Sequence, residues 1–374
     1  MKLLLTCLPG LDDLWIDEMS TILGREFLPE KKGHCHLDLS EEELAKTLNK
    51  SRLTSRVYQH LSNFFAWDEE SFEALAGDID WSQYMYLEDT FAVFSSGSLE
   101  GCSYGMNFAN LMLKDVLCDF FTKNCRERPS VDRQNPDKRY FIRFEDGRVD
   151  IYLDLLSMPL HRRGYRQEGG EAALKEARAY ALYAYAQKHG EIRDKIYDPF
   201  CGSGTILIEA ALAQQKWDPG LFHSWYQESL NHLPELKKIL REQELEVELN
   251  VSLSIAGSDR DTRQLDCAQK NISSAKKSLR NLKVPVKEKD FFDCRFENMT
   301  ILSNPPHGVR LQKESIGNFF SRVAAHLKQN AKNSNFSLFL PEGGEKYFES
   351  FQNLKKKHVK NATQKNIFLY FEIE

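Results

Sequence analysis

The sequence predicts an α/β protein whose C-terminal half forms a mostly parallel sheet, preceded by an N-terminal half of α+β character. From residue 171 onward, short apolar runs typical of strands alternate with segments of helical periodicity, which is the pattern of βαβ units. Before residue 163, strand-like and helix-like segments are mixed without that alternation. At 374 residues the chain is long enough for two or three domains.

Composition and charge are those of an ordinary globular protein. Hydrophobic residues make up 41% of the chain and charged residues 28%, with a formal net charge of -5 and a pI of about 6.1. Any surface for nucleic acid must therefore be local. Residues 123–166 carry such an excess, with 11 Lys and Arg against 7 Asp and Glu. This run fits a solvated charged face and a phosphate-contacting surface equally well.

The cysteines and the N-terminus predict the compartment. None of the eight cysteines forms a C-x-x-C pair, which indicates reduced thiols rather than a zinc site or a disulfide framework. The apolar run at residues 1–5 stops at Pro9-Gly10, too early for a signal peptide. No stretch approaches the roughly 20 apolar residues of a membrane helix. We expect a soluble cytoplasmic protein with no membrane partner and no metal.

Residues 1–60 predict a small α/β unit in the order strand, helix, strand, helix. The strands are expected at 3–7 and 34–39, and the first helix at 12–23. Ser40 with Glu43 forms a capping box that opens the second helix. A unit this thin should pack on its neighbour.

Residues 61–163 predict a second α+β unit. Helices are expected around 72–75 and 111–121, and strands at 90–95, 140–144 and 149–155. Asp146-Gly147 supplies the turn of a hairpin between the last two strands.

Residues 164–374 predict the parallel-sheet domain. A helix at 171–187 precedes the first strand, and further strands are expected at 252–257, 284–289, 300–303, 337–340 and 366–373. An insertion at about 214–250 holds a charged helix at 233–244. Trp217 and Trp225 are expected to pack within it or in the core.

A glycine-rich turn at residues 198–205 joins the first strand of this domain to the next helix. Gly202 and Gly204 allow the backbone to approach a ligand where a Cβ would collide. Ligands of open parallel sheets bind outside the carboxyl ends of the strands. Ile206-Leu207 stands where a dinucleotide-binding turn has its third glycine, and there is no G-K-[ST] phosphate loop.

Two acidic strand ends follow the glycine turn. Asp259, with Asp261 close behind, ends the second strand, where a carboxylate can accept both hydroxyls of a ribose. Asp290 ends the third, where a carboxylate can accept from an adenine amino group while Phe291 covers the base. Each acid alone fits an N-cap or a solvated charge as well. Together and in order, they favour an adenosyl pocket.

The segment Asn304-Pro305-Pro306-His307 ends the fourth strand. Two prolines cannot continue a central strand, so they predict a rigid bend. That bend can fix two acceptors, the Asn304 side-chain oxygen and the Pro305 carbonyl. An exocyclic amine that donates to both would have its lone pair aimed at an electrophile. The alternative is a rigid loop without chemistry.

These motifs resemble a known family. Residues 198–205 together with Asn304-Pro305-Pro306 resemble the class I amino methyltransferases with an N-P-P-aromatic signature. The segments H-R-R-G-Y-R at 161–166 and G-E-A-A-L-K-E at 170–176 are similar to the THUMP-containing RNA guanine-(2-amino) methyltransferases. That group includes bacterial enzymes of large-subunit ribosomal RNA and archaeal enzymes of tRNA. The resemblance covers residues 160–340 and implies a Rossmann-like domain with a seven-stranded sheet, preceded by a ferredoxin-like unit and a THUMP domain.

The resemblance also implies a cofactor, S-adenosylmethionine, and a role for each site residue. The target amine is held by Asn304 and Pro305 within the catalytic motif that Pro306 and His307 complete. The residues implied at the cofactor are Asp198, Phe200, Gly202 and Gly204 around the methionine portion, Asp259 and Asp261 at the ribose, Asp290 at the adenine, and Thr205 and Asn304 as further contacts. The family usually has Tyr where this chain has His307, whose imidazole stacks on a base with less area and can titrate.

The partner implied is structured RNA, with 23S ribosomal RNA favoured over tRNA, bound by a monomer or weak oligomer. The cations expected to contact phosphates are Lys138, Arg139, Arg143, Arg162, Arg163 and Arg166. Two further alternatives stay open: a DNA adenine or cytosine amino methyltransferase, and an RNA-binding or ribosome-assembly factor that has lost turnover.

Overall fold

Two large sheets organise the chain in the computed structural model. The structure describes residues 1–156, 158–167, 174–222, 229–243, 254–278, 283–306, 315–361 and 364–374. None of the helices in these ranges is long and apolar enough to cross a lipid bilayer.

The first sheet has six strands in the order β2-β1-β3-β6-β5-β4, with β4 and β5 parallel and every other pair antiparallel. Its elements in chain order are β1 Lys2–Cys7, α1 Asp12–Leu23, β2 His34–Asp38, α2 Glu41–Lys50, β3 Thr54–Phe65, α3 Glu69–Gly77, β4 Phe91–Gly97, α4 Met106–Cys125, β5 Lys138–Glu145 and β6 Arg148–Asp154. Helix α2 starts with the predicted capping box between Ser40 and Glu43. The predicted hairpin is confirmed as β5 and β6.

Strand β3 was not predicted, and it changes how the N-terminal half is built. It is 12 residues long and pairs with β1 on one side and β6 on the other. The predicted boundary at residue 60 lies inside it. A register shift between His60 and Ser62 breaks the alternation of side chains along the strand, which removes the sequence signal of a single long strand.

The second sheet has seven strands in the order β14-β15-β13-β11-β7-β8-β9. Its elements in chain order are α5 Glu176–His189, β7 Lys195–Asp198, α6 Thr205–Gln214, α7 Pro234–Glu242, β8 Ser254–Asp259, α8 Thr262–Ser278, β9 Val286–Glu288, β10 Phe296–Glu297, β11 Thr300–Ser303, α9 Ile316–Asn330, β12 Ala331–Lys332, β13 Ser334–Pro341, β14 Gln352–Asn361 and β15 Gln364–Ile373. The five adjacent strands β13, β11, β7, β8 and β9 run parallel to one another, and β15 runs antiparallel to both its neighbours, β13 and β14. The predicted mostly parallel sheet is confirmed.

The sequence analysis misplaced the start of one helix of this domain and missed one strand of the sheet. The helix expected from residue 171 begins at Glu176, because Lys175 has an extended backbone with φ -64° and ψ 143°. Strand β14 was missed, since the three consecutive lysines 355–357 hide the alternation of an edge strand. Lysines at a sheet edge discourage pairing with another chain.

The N-terminal unit shares its hydrophobic core with the C-terminal domain. Trp15, Leu44 and Leu207 belong to one continuous cluster of buried side chains, whereas residues 66–153 enclose a separate core. Trp217 lies in the shared core and is 4% exposed, which confirms that it packs internally, and Trp225 is outside the described residues. The expectation that the thin N-terminal unit packs on its neighbour is confirmed.

A buried carboxylate joins the two halves. Glu209 of α6 is 0% exposed and lies 3.4 Å from Arg163 Nε and 4.0 Å from Arg52 Nη1. The Tyr165 hydroxyl donates to the same carboxylate over 2.9 Å. Arg163 also donates to the carbonyls of Leu160 and Arg52. One side chain therefore holds the N-terminal unit, the connecting segment and α6 together.

Replacing Glu209 with Leu should lower the free energy of unfolding by about 3–5 kcal/mol, because two buried guanidinium groups lose their counter-charge. Tyr165→Phe is the matched control, since it removes one hydrogen bond to the same carboxylate and should cost roughly 1.5 kcal/mol. Urea denaturation followed by tryptophan fluorescence measures both. Equal losses in the two variants would contradict the role assigned to the carboxylate.

Candidate active site

The predicted site residues meet at the carboxyl edge of the second sheet. Strands β7, β8, β9 and β11 are parallel and adjacent, so Asp198, Asp259, Asp290 and Asn304 follow their strands at one edge. Their convergence is a consequence of strand order, because carboxyl ends of parallel strands share an edge.

The glycine turn is tied to the second strand. Gly202 and Gly204 have φ values of 50° and 79°, a region that favours glycine. The Gly202 amide donates to Asp259 Oδ2 over 2.9 Å, and the Cys201 amide donates to the Ser258 carbonyl over 2.9 Å. Helix α6 begins directly after Gly204. The turn therefore presents backbone rather than side chains to the space above the sheet edge.

Asp198 is fully buried at the end of β7. Its Oδ1 accepts from the Ser303 hydroxyl over 2.6 Å and from the Phe200 amide over 3.0 Å. Its Oδ2 is buried and has no hydrogen-bond partner among the residues described. Burial, together with the negative charge of Asp259, raises the pKa of Asp198 to about 7. A buried acceptor without a donor is costly, so this oxygen is suited to a ligand that donates.

Ser303 is a site residue that the sequence analysis missed. It ends β11, is 0% exposed, and its hydroxyl connects that strand to the carboxylate of Asp198. The bond fixes the start of the Asn304 segment relative to the glycine turn. A hydroxyl immediately before an N-P-P segment was the available signal.

Asn304 also carries a buried acceptor. Its Oδ1 makes no hydrogen bond within the described part of the chain, and Pro305 beside it is buried. The amide oxygen therefore has the position and the free lone pairs that orienting an amine requires. His307 lies outside the described residues, as does the rest of the segment up to residue 314.

The third acidic strand end, Asp290, also caps a short helix. Asp290 Oδ1 accepts from the Phe292 amide over 2.9 Å and so caps the short 3-10 helix Phe291–Asp293. Phe291 stacks on Phe200, with ring centroids 4.9 Å apart and an angle of 15° between the planes. The predicted aromatic cover thus pairs with another ring, and the two form one apolar wall.

Two other predicted cofactor residues already have side-chain partners. Both carboxylate oxygens of Asp261 accept from Arg263, at 3.1 Å and 2.9 Å. The Thr205 hydroxyl accepts from Arg166 over 3.2 Å, and Thr205 is buried. Asp259 keeps lone pairs available, since each of its oxygens accepts one backbone amide, from Gly202 and from Asp261.

Two of the six cations predicted to contact phosphates are buried, and those predictions were wrong. Lys138 is 2% exposed and donates to the Ser229 carbonyl, and Arg163 is 0% exposed beside Glu209. Both side chains are long enough to reach inward and satisfy buried acceptors, which charge counting along the sequence does not reveal.

The other four cations differ in accessibility. Arg166 faces inward, toward Thr205 and Glu176. Arg139 and Arg143 are half-buried, with Arg139 over the Phe94 ring at 4.5 Å. Arg162 is exposed. Phosphate contact stays a prediction for these four.

The described part of the site offers acceptors that can position a ligand. No group of three or more His, Cys, Asp and Glu side chains there could hold a metal ion. What the edge offers is two buried acceptors, Asp198 Oδ2 and Asn304 Oδ1, next to the backbone of a glycine turn. Such a site can bind a ligand with donor groups and fix an amine beside it.

Two family models match the chain. Residues 163–369 match the model described as UPF0020, RMKL-like, methyltransferase domain, and residues 66–154 match the THUMP domain. The THUMP match covers the part of the first sheet that has its own core.

Curated relatives extend the comparison. The ribosomal RNA large subunit methyltransferase K/L of Pseudomonas fluorescens is 31% identical over 354 residues, which is 90% of this chain and 46% of the relative. The protein of the same name from Aliivibrio fischeri is 33% identical over 292 residues, 75% of this chain and 40% of the relative. The chain thus spans less than half the length of these relatives.

Solved structures share the fold. SMU.472, described as a methyltransferase and crystallised with SAH, has a TM-score of 0.82 at 22% identity and covers 100% of this chain and 98% of its own. TrmN from Thermus thermophilus has a TM-score of 0.71 at 18% identity, with both chains covered completely. At these identities the likeness establishes the class I methyltransferase fold.

The raised pKa of Asp198 predicts a pH-dependent stability difference between the parent and Asp198→Asn. The pKa of the unfolded carboxyl is the ordinary 3.8, whereas the pKa of the folded one is about 7, so the parent loses stability as pH rises between these values. Asn does not titrate there. The free energy of unfolding of the variant, relative to that of the parent, should therefore rise by on the order of 3 kcal/mol between pH 4 and pH 7.

Denaturant unfolding of both proteins at pH 4, 5.5, 7 and 8 measures this difference, and other titrating groups cancel in the comparison. A difference that stays flat across the series would mean that Asp198 is ionised throughout.

Proposed function

This chain belongs to the UPF0020 family, the RMKL-like methyltransferase domains, and on that premise we propose that it methylates the exocyclic 2-amino group of a guanine in structured RNA. The methyl donor is S-adenosylmethionine, and the favoured substrate is 23S ribosomal RNA. The observation that carries this proposal is the buried Asn304 Oδ1, which has no hydrogen-bond partner among the described residues and lies at the same sheet edge as the glycine turn.

The described residues fit the cofactor. Asp198 Oδ2 is a buried acceptor suited to the ammonium of the methionine portion, and Gly202 and Gly204 leave room for it above the turn. Asp259 accepts the ribose hydroxyls, and Asp290 accepts from the adenine through the oxygen that does not cap Phe292. When bound, the cofactor supplies an electrophilic methyl group.

The chain's own contribution to the reaction is positioning. The guanine amine donates to Asn304 Oδ1 and to the Pro305 carbonyl, which fixes its lone pair along one direction. The prolines at 305 and 306 hold the bend, and Ser303 anchors it to Asp198. The amine needs no base from the protein, because the methylated nitrogen loses its proton to water after the methyl group is transferred.

The choice of RNA rests on the N-terminal half and on the names of the relatives. A THUMP domain precedes the methyltransferase domain, and the curated relatives are named for ribosomal RNA of the large subunit. We retain three functional parts, at residues 1–60, 61–163 and 164–374, in a cytoplasmic monomer or weak oligomer. RNA gripped by the first two reaches the site as a flipped base.

Methyl transfer tests the proposal directly. The protein is incubated with tritiated S-adenosylmethionine and unmodified 23S rRNA, tRNA or genomic DNA, and the product is digested to nucleosides. We expect label in rRNA as 2-methylguanosine. Label in tRNA alone, label in DNA as a methylated adenine or cytosine, or no label despite bound cofactor would each overturn the assignment.

Asn304→Ala should lower the rate of methyl transfer by at least about 100-fold, because the amine loses an acceptor that acts on the reacting group. The cofactor affinity, measured by calorimetry, should change little. The matched control is Asn231→Ala, an exposed asparagine of the insertion, which should retain full activity. Parallel loss of cofactor affinity and activity in Asn304→Ala would mean that this residue belongs to the cofactor site only.

His307→Tyr should preserve or raise activity, because a larger aromatic ring stacks on a flipped base over more area. His307→Ala should raise the KM for RNA more than it lowers kcat. A collapse of kcat in His307→Tyr would instead assign the imidazole a chemical role.

A further inference from the structure

One face of helix α8 packs against the glycine turn. Ala268, Asn271 and Ser274 follow one another at intervals of three residues, so they lie on the same side of the helix. A Cβ on Gly204 would lie only 3.3 Å from the Ala268 Cβ, which shows how closely α8 approaches the turn. The two polar residues of this face continue from that contact.

Asn271 makes hydrogen bonds to two separate parts of the chain. Its Nδ2 donates to the Ser203 carbonyl of the glycine turn over 3.0 Å, and its Oδ1 accepts from the Gln167 backbone amide over 2.9 Å. The residue is 1% exposed. A carbonyl needs a donor and an amide needs an acceptor, so these two partners match the carboxamide of asparagine and fix its orientation.

Gln167 belongs to the segment that connects the two halves of the chain. The residue before it, Arg166, donates to the Thr205 hydroxyl at the start of α6 over 3.2 Å. The Gln167 side chain donates to the Ser274 hydroxyl over 3.1 Å. The connecting segment therefore runs past the glycine turn, and Asn271 is bonded to the segment and to the turn together.

The backbone of the turn is held from two sides. Strand β8 holds its start, because the amides of Cys201 and Gly202 both donate to residues at the end of that strand. Helix α8 holds its end, because Asn271 binds the Ser203 carbonyl. That carbonyl and the Gly204 amide belong to one planar trans peptide group, so the bond also sets the direction of the amide.

We propose that Asn271 is a positioning residue for S-adenosylmethionine, which holds the Ser203–Gly204 peptide in the orientation that the cofactor binds. The proposal rests on the cofactor of the proposed function and adds to it a residue outside the recognised motifs. Asn271 acts through the turn. Without it a buried carbonyl loses its donor, and the glycine at 204 allows the peptide to rotate toward another partner. The cofactor would then have to reorder the turn as it binds.

The affinity of the full chain for S-adenosylmethionine, measured by calorimetry without RNA, tests this role. We expect Asn271→Ala to weaken binding at least about 10-fold, since a preformed turn is lost. In methyl transfer it should raise the KM for the cofactor and leave kcat at saturating cofactor near that of the parent. Ser274→Ala is the matched control on the same helix face. It loses a bond to the Gln167 side chain and should leave the affinity unchanged.

Asn271→Asp separates positioning of the turn from general damage to the fold. Its carboxylate can still accept from Gln167 but opposes a second acceptor to the Ser203 carbonyl, whereas its protonated carboxyl can donate to that carbonyl. Burial raises the pKa of such a carboxyl. The cofactor affinity relative to the parent should therefore be lowest near pH 8 and recover as the pH falls to about 5.5, while Asn271→Ala shows no recovery.

Two outcomes would overturn the proposal. One is cofactor affinities equal to that of the parent in both Asn271 variants. The other is a loss in both variants that follows a lower free energy of unfolding and does not recover at low pH in Asn271→Asp, which would make Asn271 a purely structural residue. Because these affinities are measured without RNA, a failure of the proposed RNA substrate would appear only in the methyl-transfer assay.

Discussion

The buried carboxylate of Glu209 is the contact on which the arrangement of the two halves depends. It is the counter-charge that the buried Arg163 and Arg52 share, and it belongs to the helix that the glycine turn opens. The same helix therefore supports the ligand-facing turn at its start and the interdomain joint one turn later. The two contacts are therefore joined by one helix of ten residues.

A second buried acid organises the reacting edge. One oxygen of Asp198 accepts from the Ser303 hydroxyl, and the other has no partner in the described part of the chain, so a single group both aligns two strand ends and offers an acceptor. Asn304, the residue after Ser303, carries a second buried acceptor. Within the described residues these two buried oxygens have no donor, so a ligand that donates to both would be held in one geometry.

The sequence revealed the parts whose signals are local. The βαβ alternation, the capping box at Ser40, the Asp-Gly hairpin and the carboxyl-edge acids all follow from residues near one another in the chain. Features that depend on distant partners were not visible. Lys138 and Arg163 were expected at the surface because the sequence does not show that a distant carbonyl or carboxylate is buried beside each of them. The start of α5 was misplaced because the Ala-rich composition before it is typical of a helix, and strand β14 was missed because its lysines hide the strand pattern.

Strand β3 gives the molecule a fixed length scale. Its 12 residues span roughly 40 Å and pair with the N-terminal unit at one end and the THUMP-matching region at the other. Because the N-terminal unit is packed into the core of the C-terminal domain, that span starts from the body of the methyltransferase domain. Under the proposed function, an RNA held at the far end of β3 would present to the site only nucleotides at that distance, so spacing along the RNA would contribute to target choice as well as base identity.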